Sequence, residues 1–375
     1  MDRDKLVHLD SFEDKGRRHY RSKLDPADKP IRLLTYNVFM RPVVGDYTDR
    51  KDERLEHIIE AIMKYDIVCF QELFSTFNSR RDKLLSFASE CNFKYASVPP
   101  CPTFFQSIFE RTPINSGLLI ISKMPIVASK FLPFKAKSGI DGIAIKGVLY
   151  SKISTGKDAF IHLFNTHLQA TYHCDYQIDN ASDHSNFEAR MKQIEELRKA
   201  ITECLAEHSS LAQDGPKSFK DIVLVAGDFN VNSRGNRIPK HKFFDFEWLQ
   251  SEDMAEFLEY EFLVATLSNG GKDSVIDLAF NSYGFHPITY GDTLIAEGTQ
   301  SKTAKDIHLT NKTENVSEQS LDYIFRIVPK DTIAEHSKCD LHEKTCRVAE
   351  FFVEEELFGQ LSDHYGLECS LSIHK

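Results

Sequence analysis

The segment VLVAGDFNVNSR, Val223 to Arg234, runs through aliphatic residues and stops on Asp228 and Asn230. Side chains two apart on an extended chain share a face, so this carboxylate and amide project together off the end of a hydrophobic strand. Taken singly, such a pair also makes an Asx turn, and its meaning depends on partners elsewhere in the chain. Thr35-Tyr36-Asn37 closes a second apolar run and Gln71-Glu72 a third. Phe160 to Phe164 leads into Asn165-Thr166-His167, and Leu321-Asp322-Tyr323 and Ser362-Asp363-His364-Tyr365 lie near the C-terminus.

Each of these has a plain structural reading as a turn amide, a solvated strand end or a packed histidine. Their shared position, mostly at the ends of apolar strands, supplies the parts for metal-assisted phosphoester hydrolysis. A phosphodiester is anionic and repels an attacking hydroxide. A hard cation such as Mg²⁺ neutralises it and prefers a few carboxylate or carbonyl oxygens plus water. Glu72 is the best single ligand, with Asn37 beside it. A neutral imidazole accepts a proton from water near pH 7; His364 suits that role, with Asp322 as the carboxylate that fixes its tautomer. Charge growing on phosphorus needs donors aimed at it, and His167 and Asn230 supply them. The chain has no Walker loop, no HExxH helix and no GxSxG elbow, so kinase, zincin and serine-hydrolase chemistry lack their parts.

Strands dominate the elements that must position these groups. Ile31 to Val38, Asp66 to Glu72, Ser116 to Ser122, Ile126 to Phe134, Ile145 to Ile153, Phe160 to His167 and Asp221 to Phe229 read as strands. So do Leu321 to Val328, Val348 to Val353 and Gly366 to Ile373. Asp52 to Lys64 carries apolar residues at 55, 58, 59 and 62, the helical spacing, and Arg80 to Cys91 and Asn186 to Glu207 also read as helices. Residues 232–318 are less regular, with Gly270-Gly271 and a polar run from Gly298 to Gln319 read as loops. The expected class is α/β: two mostly antiparallel sheets face to face with helices outside. The expected organisation is a polar lead-in over 1–29 followed by one catalytic domain over 30–375.

A chain of 375 residues that is 41% hydrophobic builds a sizeable core. Its formal charge of -10 disfavours a protein that coats nucleic acid, which gains affinity from basic contacts to phosphates, so no stable nucleic-acid complex is expected. No apolar run reaches the length that spans a bilayer, and the charged N-terminus lacks an apolar signal region. A cytoplasmic or peripheral-membrane location is the expectation, secretion requiring a signal peptide already removed. The eight cysteines are then expected as thiols, with Cys339 and Cys346 spaced to close a short loop if oxidised.

The pieces TYNV, FQEL, NTHL, GDFN, LDYIF and SDHYG, in this order over residues 31 to about 373, make the chain similar to the endonuclease/exonuclease/phosphatase superfamily. The resemblance implies a four-layered α/β sandwich and a Mg²⁺-dependent phosphoesterase, with Mn²⁺ as an alternative metal. It implies Glu72 at the metal with Asn37 adjacent, Asp228 and Asn230 orienting water and phosphate, and His167 contacting phosphate. It also makes Asp363 the terminal metal-linked aspartate, His364 the catalytic histidine and Asp322 its orienting partner. Within the superfamily, Asp141 to Gly147 (DGIAIKG) and the run KGVLYSKI with FIHLFNTHLQA resemble the neutral sphingomyelinases, which implies Asp141 and Lys146 as substrate-binding residues. Ile114-Asn115-Ser116-Gly117-Leu118 departs from that branch, lacking the carboxylate pair with which secreted bacterial members hold a second, edge metal; the number of metals stays open.

The resulting expectation is a phospholipase C-type enzyme converting sphingomyelin to ceramide and phosphocholine at a membrane surface. Its rivals are a hydrolase of another phospholipid or phosphoinositide, a nuclease and an inactive binding scaffold. Peripheral membrane contact is expected through Pro102 to Phe109 (PTFFQSIF). Head-group and chain preference, the general acid and the oligomeric state are not readable from the residues.

Overall fold

The computed structural model describes residues 5–8, 30–42, 49–103, 107–109, 111–156, 159–171, 181–208, 221–234, 237–239, 256–295, 302–305, 309, 317–329, 339–341, 345–354 and 358–373. Its sheet strands are β1 (Lys5–His8), β2 (Ile31–Met40), β3 (Ile67–Leu73), β4 (Tyr95–Val98), β5 (Leu119–Ser122), β6 (Ile126–Pro133) and β7 (Gly147–Ser154). They continue with β8 (Phe160–His167), β9 (Ile222–Asp228), β10 (Asp273–Asp277), β11 (Asp322–Pro329), β12 (Cys339–Leu341), β13 (Arg347–Ala349) and β14 (Gly366–Ile373). The main helices are α1 (Lys51–Ile62), α2 (Arg80–Glu90), α3 (Ala181–His208), α4 (Glu259–Leu267) and α5 (Leu278–Tyr283).

An eight-stranded sheet is ordered β1-β4-β5-β3-β2-β14-β12, with β13 also pairing to β14. A six-stranded sheet is ordered β10-β11-β9-β8-β7-β6. Both are antiparallel apart from one parallel pair each, β2 with β3 and β8 with β9. A parallel pair needs a crossover, and α1 and α3 are those crossovers. The four layers follow from the hydrophobic pattern. Leu55, Ile58, Ile59 and Ile62 of α1 and Leu84, Leu85 and Ala88 of α2 pack on the outer face of the first sheet. Met191, Ile194, Leu197 and Ile201 of α3, with Phe262 and Leu263 of α4, cover the outer face of the second. Between the sheets lie Leu33, Ile67, Cys69, Leu163, Leu224, Ile324 and Leu367. Strands such as β3 (IVCFQEL) and β9 (IVLVAGD) read as continuous apolar runs because both of their faces are covered.

The segment expected as a polar lead-in contributes an edge strand, since β1 pairs antiparallel with β4. Cys69, Cys91, Cys101, Cys204, Cys346 and Cys369 are free thiols. Among the described residues no helix is long and apolar enough to cross a membrane.

Candidate active site

The two parallel pairs lie back to back across the inter-sheet core, and their C-terminal ends open at one end of the sandwich. Asn37 ends the regular register of β2 opposite Gln71, and Glu72 follows on β3. In the second sheet His167 lies opposite Asp228, and Asp228 opposite Asp322, so three neighbouring strands set their polar groups in one row. The first sheet receives its last contribution from the Ser362-Asp363-His364 turn just before β14, whose Leu367 pairs with Thr35. Gly227 permits the close approach of β8 and β9: at φ +141 a Cβ there would stand 2.0 Å from the Thr166 carbonyl oxygen.

Asn37 is the hub of the cluster. Its Nδ2 donates to Asp228 Oδ2 at 2.9 Å and to Glu72 Oε1 at 3.2 Å, and lies 3.5 Å from His364 Nε2. His364 Nδ1 is 2.8 Å from Asp322 Oδ2, and its Nε2 is 3.7 Å from Asp228 Oδ2. His167 Nε2 stands 3.6 Å from Asp228 Oδ2 and 4.0 Å from Glu72 Oε1. The Asn230 backbone N–H donates to Asp228 Oδ1 at 2.9 Å, which holds that carboxylate in place. Asp363 Oδ1 accepts from Ser362 Oγ at 3.3 Å, and the same hydroxyl donates to the Asn37 carbonyl at 2.7 Å.

Asp141 and Lys146 join this cluster through one carbonyl. Lys146 Nζ pairs with Asp141 Oδ2 at 3.0 Å and donates to Leu168 O at 2.7 Å. Asn230 Nδ2 donates to the same Leu168 O at 3.0 Å. Asp141 Oδ2 also accepts from the Ala170 backbone N–H at 2.9 Å, pinning its loop to the chain just beyond His167. All ten candidate residues therefore form one connected set around the ends of β2, β3, β8 and β9.

Burial and mutual charge set the electrostatics. Burial, reinforced by the charge of Asp363, raises Glu72 to about 7, and burial also raises Asp363. Burial raises Asp322 to about 6 against the pull of His364. For Asp228, burial favours the acid, but His364, His167 and Asn37 outweigh it and hold the carboxyl below its usual range. Burial and the Lys146 ammonium lower His167 to about 4, leaving it neutral at pH 7. Burial also favours a neutral His364, but Asp322, Asp228 and Asp363 overcome it and favour the imidazolium.

This set fits a hard divalent cation. Glu72 Oε2 is buried without a hydrogen-bond partner, and a desolvated carboxylate beside a second one is costly unless a cation compensates both. Glu72, His167 and Asp228 bring ligand atoms within 4.8 Å of one another, as do Asp228, Asp322 and His364.

Sequence reasoning missed several supporting residues. Arg41 lies with its guanidinium 4.0 Å over the Phe39 ring, and its charge acts on both Glu72 and Asp363. The Thr289 hydroxyl accepts from the backbone N–H groups of Leu321 and Asp322. The Tyr290 ring lies 4.8 Å from that of His364. Arg41 sits just past the TYNV motif, a detectable signal; Thr289 and Tyr290 come from the region read as irregular.

The profile of the endonuclease/exonuclease/phosphatase family matches residues 34–325. The chain belongs to that family. It is 30% identical to a sphingomyelinase of Dictyostelium discoideum over 364 residues, 84% of this chain and 73% of the relative. A sphingomyelinase C of Bacillus cereus is 27% identical over 210 residues, 54% of this chain and 57% of that protein. The fold is that of a Staphylococcus aureus β-toxin variant crystallised with magnesium ions, at a TM-score of 0.54 and 21% identity over 92% of this chain and 100% of the other. The sandwich expected from the sequence is the one observed, and the chain is a phosphodiester hydrolase.

Proposed function

We propose that this hydrolase is a Mg²⁺-dependent phosphodiesterase of phospholipase C type that converts sphingomyelin to ceramide and phosphocholine. The observation that carries the reading is the Leu168 carbonyl, which ties the Asp141–Lys146 pair to Asn230 and so to the cluster around Asp228. That loop is the part of the sequence most similar to neutral sphingomyelinases. The Dictyostelium relative, which is named a sphingomyelinase, adds support over most of the chain.

Glu72, with Asn37 and Asp363 beside it, would hold the cation, which would neutralise the phosphoryl oxygens and compensate these carboxylates. His364 Nε2 takes the proton of the attacking water while Asp322 Oδ2 accepts the hydrogen bond from Nδ1–H, which fixes the tautomer and stabilises the imidazolium that forms. Asp228, fixed by Asn37 and the Asn230 N–H, orients that water from 3.7 Å away from His364 Nε2. Water oxygen bonds to phosphorus and the bond to the ceramide oxygen breaks; that oxygen leaves as the hydroxyl with a proton from solvent, and the proton that His364 took from the attacking water passes to solvent in its place. His167, kept neutral by burial, and the second amide hydrogen of Asn230 face the charge that grows on the phosphoryl group.

A release assay tests this across sphingomyelin, lysophosphatidylcholine, phosphoinositides and DNA, in Mg²⁺, Mn²⁺ and EDTA. The expected result is phosphocholine release from sphingomyelin that EDTA abolishes, with DNA left intact. Cleavage of DNA without head-group release would assign the chain to the nucleases instead.

A further inference from the structure

We infer that the site end of the sandwich carries a bilayer-contact face built from three adjoining loops, with apolar tips that enter the lipid and basic side chains that meet its phosphates. The inference rests on the proposed lipid substrate and adds the surface by which the protein reaches it. The loops follow β3, precede β5 and join β6 to β7, and the strand pairings place all three at the same end as Glu72 and His167. Hydrogen bonds hold them side by side. The Asn115 N–H donates to Thr76 Oγ1 at 3.1 Å, the Ile114 N–H to Ile143 O at 3.2 Å, and the Ile145 N–H to Ile114 O at 3.0 Å.

On this scaffold Phe77 is 93% exposed, Phe109 68% and Ile140 62%, with Ile108 and Ile143 also exposed. Large apolar side chains gathered on adjoining loops differ from the scattered singles normal on a soluble surface and mark a contact site. Phe77 and Arg111 hold left-handed backbone at φ 60 and 55. That conformation costs a non-glycine residue about 1 kcal/mol or more, so the hydrogen-bonded loops around them keep the chain in a strained form. Arg111, Lys135 and Lys137 are exposed beside these tips, on a chain whose net charge is -10. A basic patch on an acidic body is complementary to lipid phosphates. A cleft of about 480 Å³ is lined by Phe109, Lys135 and Lys137 together with Asp141 and Lys146, so the face adjoins the proposed substrate loop. Of the stretch Pro102 to Phe109 expected from the sequence to make this contact, residues 104–106 lie outside the described residues, and Ile108 and Phe109 are among the exposed tips.

The test uses the full chain and sedimentation with vesicles of phosphatidylcholine, with and without phosphatidylserine, all lacking sphingomyelin. Wild type is expected to bind, more tightly with phosphatidylserine. The double variant Phe77→Ser with Phe109→Ser is expected to lose about tenfold or more in binding. Lys135→Gln with Lys137→Gln is expected to lose about fivefold per lysine on the anionic vesicles alone. Because these side chains are exposed, melting temperatures should match wild type. Hydrolysis of a soluble short-chain sphingomyelin should be retained while that of bilayer sphingomyelin falls. Wild-type binding by the Phe77/Phe109 variant, or equal loss on both substrates, overturns the assignment. Vesicle binding by a wild-type chain that hydrolyses no sphingomyelin in either form leaves this face standing and removes the substrate reading instead.

Discussion

Replacing Asp322 by Asn tests the pairing at the centre of the proposed mechanism. Asp322 Oδ2 lies 2.8 Å from His364 Nδ1, with the two side chains 1% and 5% exposed, so water does not screen their interaction. Asn is nearly isosteric and leaves the Thr289 contacts to the Asp322 backbone in place. It removes the charge, however, and its amide can donate to Nδ1, which would move the ring proton to Nε2 and leave no lone pair facing the water. Loss of an orienting carboxylate of this kind costs a catalytic triad about 10⁴-fold in turnover. Here Asp228 and Asp363 still favour the protonated ring, so the expected loss is about 10²- to 10⁴-fold, or about 3–5 kcal/mol at about 1.4 kcal/mol per decade. The sign of the pH effect is also fixed. Asp322 is the largest influence raising His364, so removing it lowers the ring's pKa, and the acid limb of kcat/KM moves to lower pH while the plateau falls. Steady-state kinetics on the soluble substrate over a pH series, for Asp322→Asn, His364→Ala and the double variant, gives the answer. The double variant should match His364→Ala alone. Additive losses, or an acid limb that stays in place, would show that Asp322 does not act through His364.

Glu72→Gln should abolish Mg²⁺-dependent turnover and the stabilisation that Mg²⁺ gives in a melting experiment. Without metal, the raised pKa of Glu72 means its contribution to stability is full below its ordinary 4.5 and lost as pH rises through about 7; metal-free Glu72→Gln should lack that decline, which a pH series of melting temperatures reads out. Asp141→Ala should cut turnover strongly with a smaller effect on the melting temperature, because Asp141 sits on the site loop, where it pairs with Lys146 and accepts from the Ala170 N–H; a loss of stability matching the loss of activity would make it a turn residue only. Arg54→Met should destabilise by at least about 3 kcal/mol in denaturant titration, since the buried guanidinium donates to the carbonyls of Val38, Phe39, Asp49 and Leu361 and nothing in Met replaces those bonds.

Most residues of the candidate site were legible because they end strands whose apolar runs are strong signals. β8 and β14 begin and end where their patterns placed them, and β2, β3, β9 and β11 agree within about two residues. Residues 232–318 were not legible, for physical reasons. The α4 sequence EYEFLVATL is short and rich in aromatic and β-branched residues, so its periodicity does not separate helix from strand. β10 is an edge strand whose first four residues are half-buried, which blurs the alternation. α5 spans only Leu278–Tyr283, too short to show a helical period; the one local mark of its start is Asp277, whose Oδ1 caps the Ala279 and Phe280 N–H groups at 3.0 Å. β4 is four residues long, below what pattern alone resolves.

What the sequence hid most completely is the backbone that aims the site. Phe39, Glu72 and Asn230 all hold positive φ, at 52, 55 and 51. Asn tolerates that region well, whereas Phe and Glu do so at a cost of about 1–3 kcal/mol. Each is held by a specific bond. The Phe39 N–H donates to Asn37 Oδ1 at 3.1 Å, the Asn230 N–H to Asp228 Oδ1, and the residue after Glu72 donates its N–H to Gly117 O at 2.9 Å. The Phe39 bend accompanies the register shift between Asn37 and Met40, a bulge that turns the strand end while Arg54 binds the Val38 and Phe39 carbonyls from beneath. At Glu72 a glycine or asparagine would satisfy the backbone better, so local preference does not account for a glutamate there. Its carboxylate, half unpartnered and facing Asp363's charge, does not stabilise the metal-free fold either. Local rules broken without a compensating gain in stability are expected at functional sites, and Glu72 breaks two of them at the position where the cation is proposed to bind.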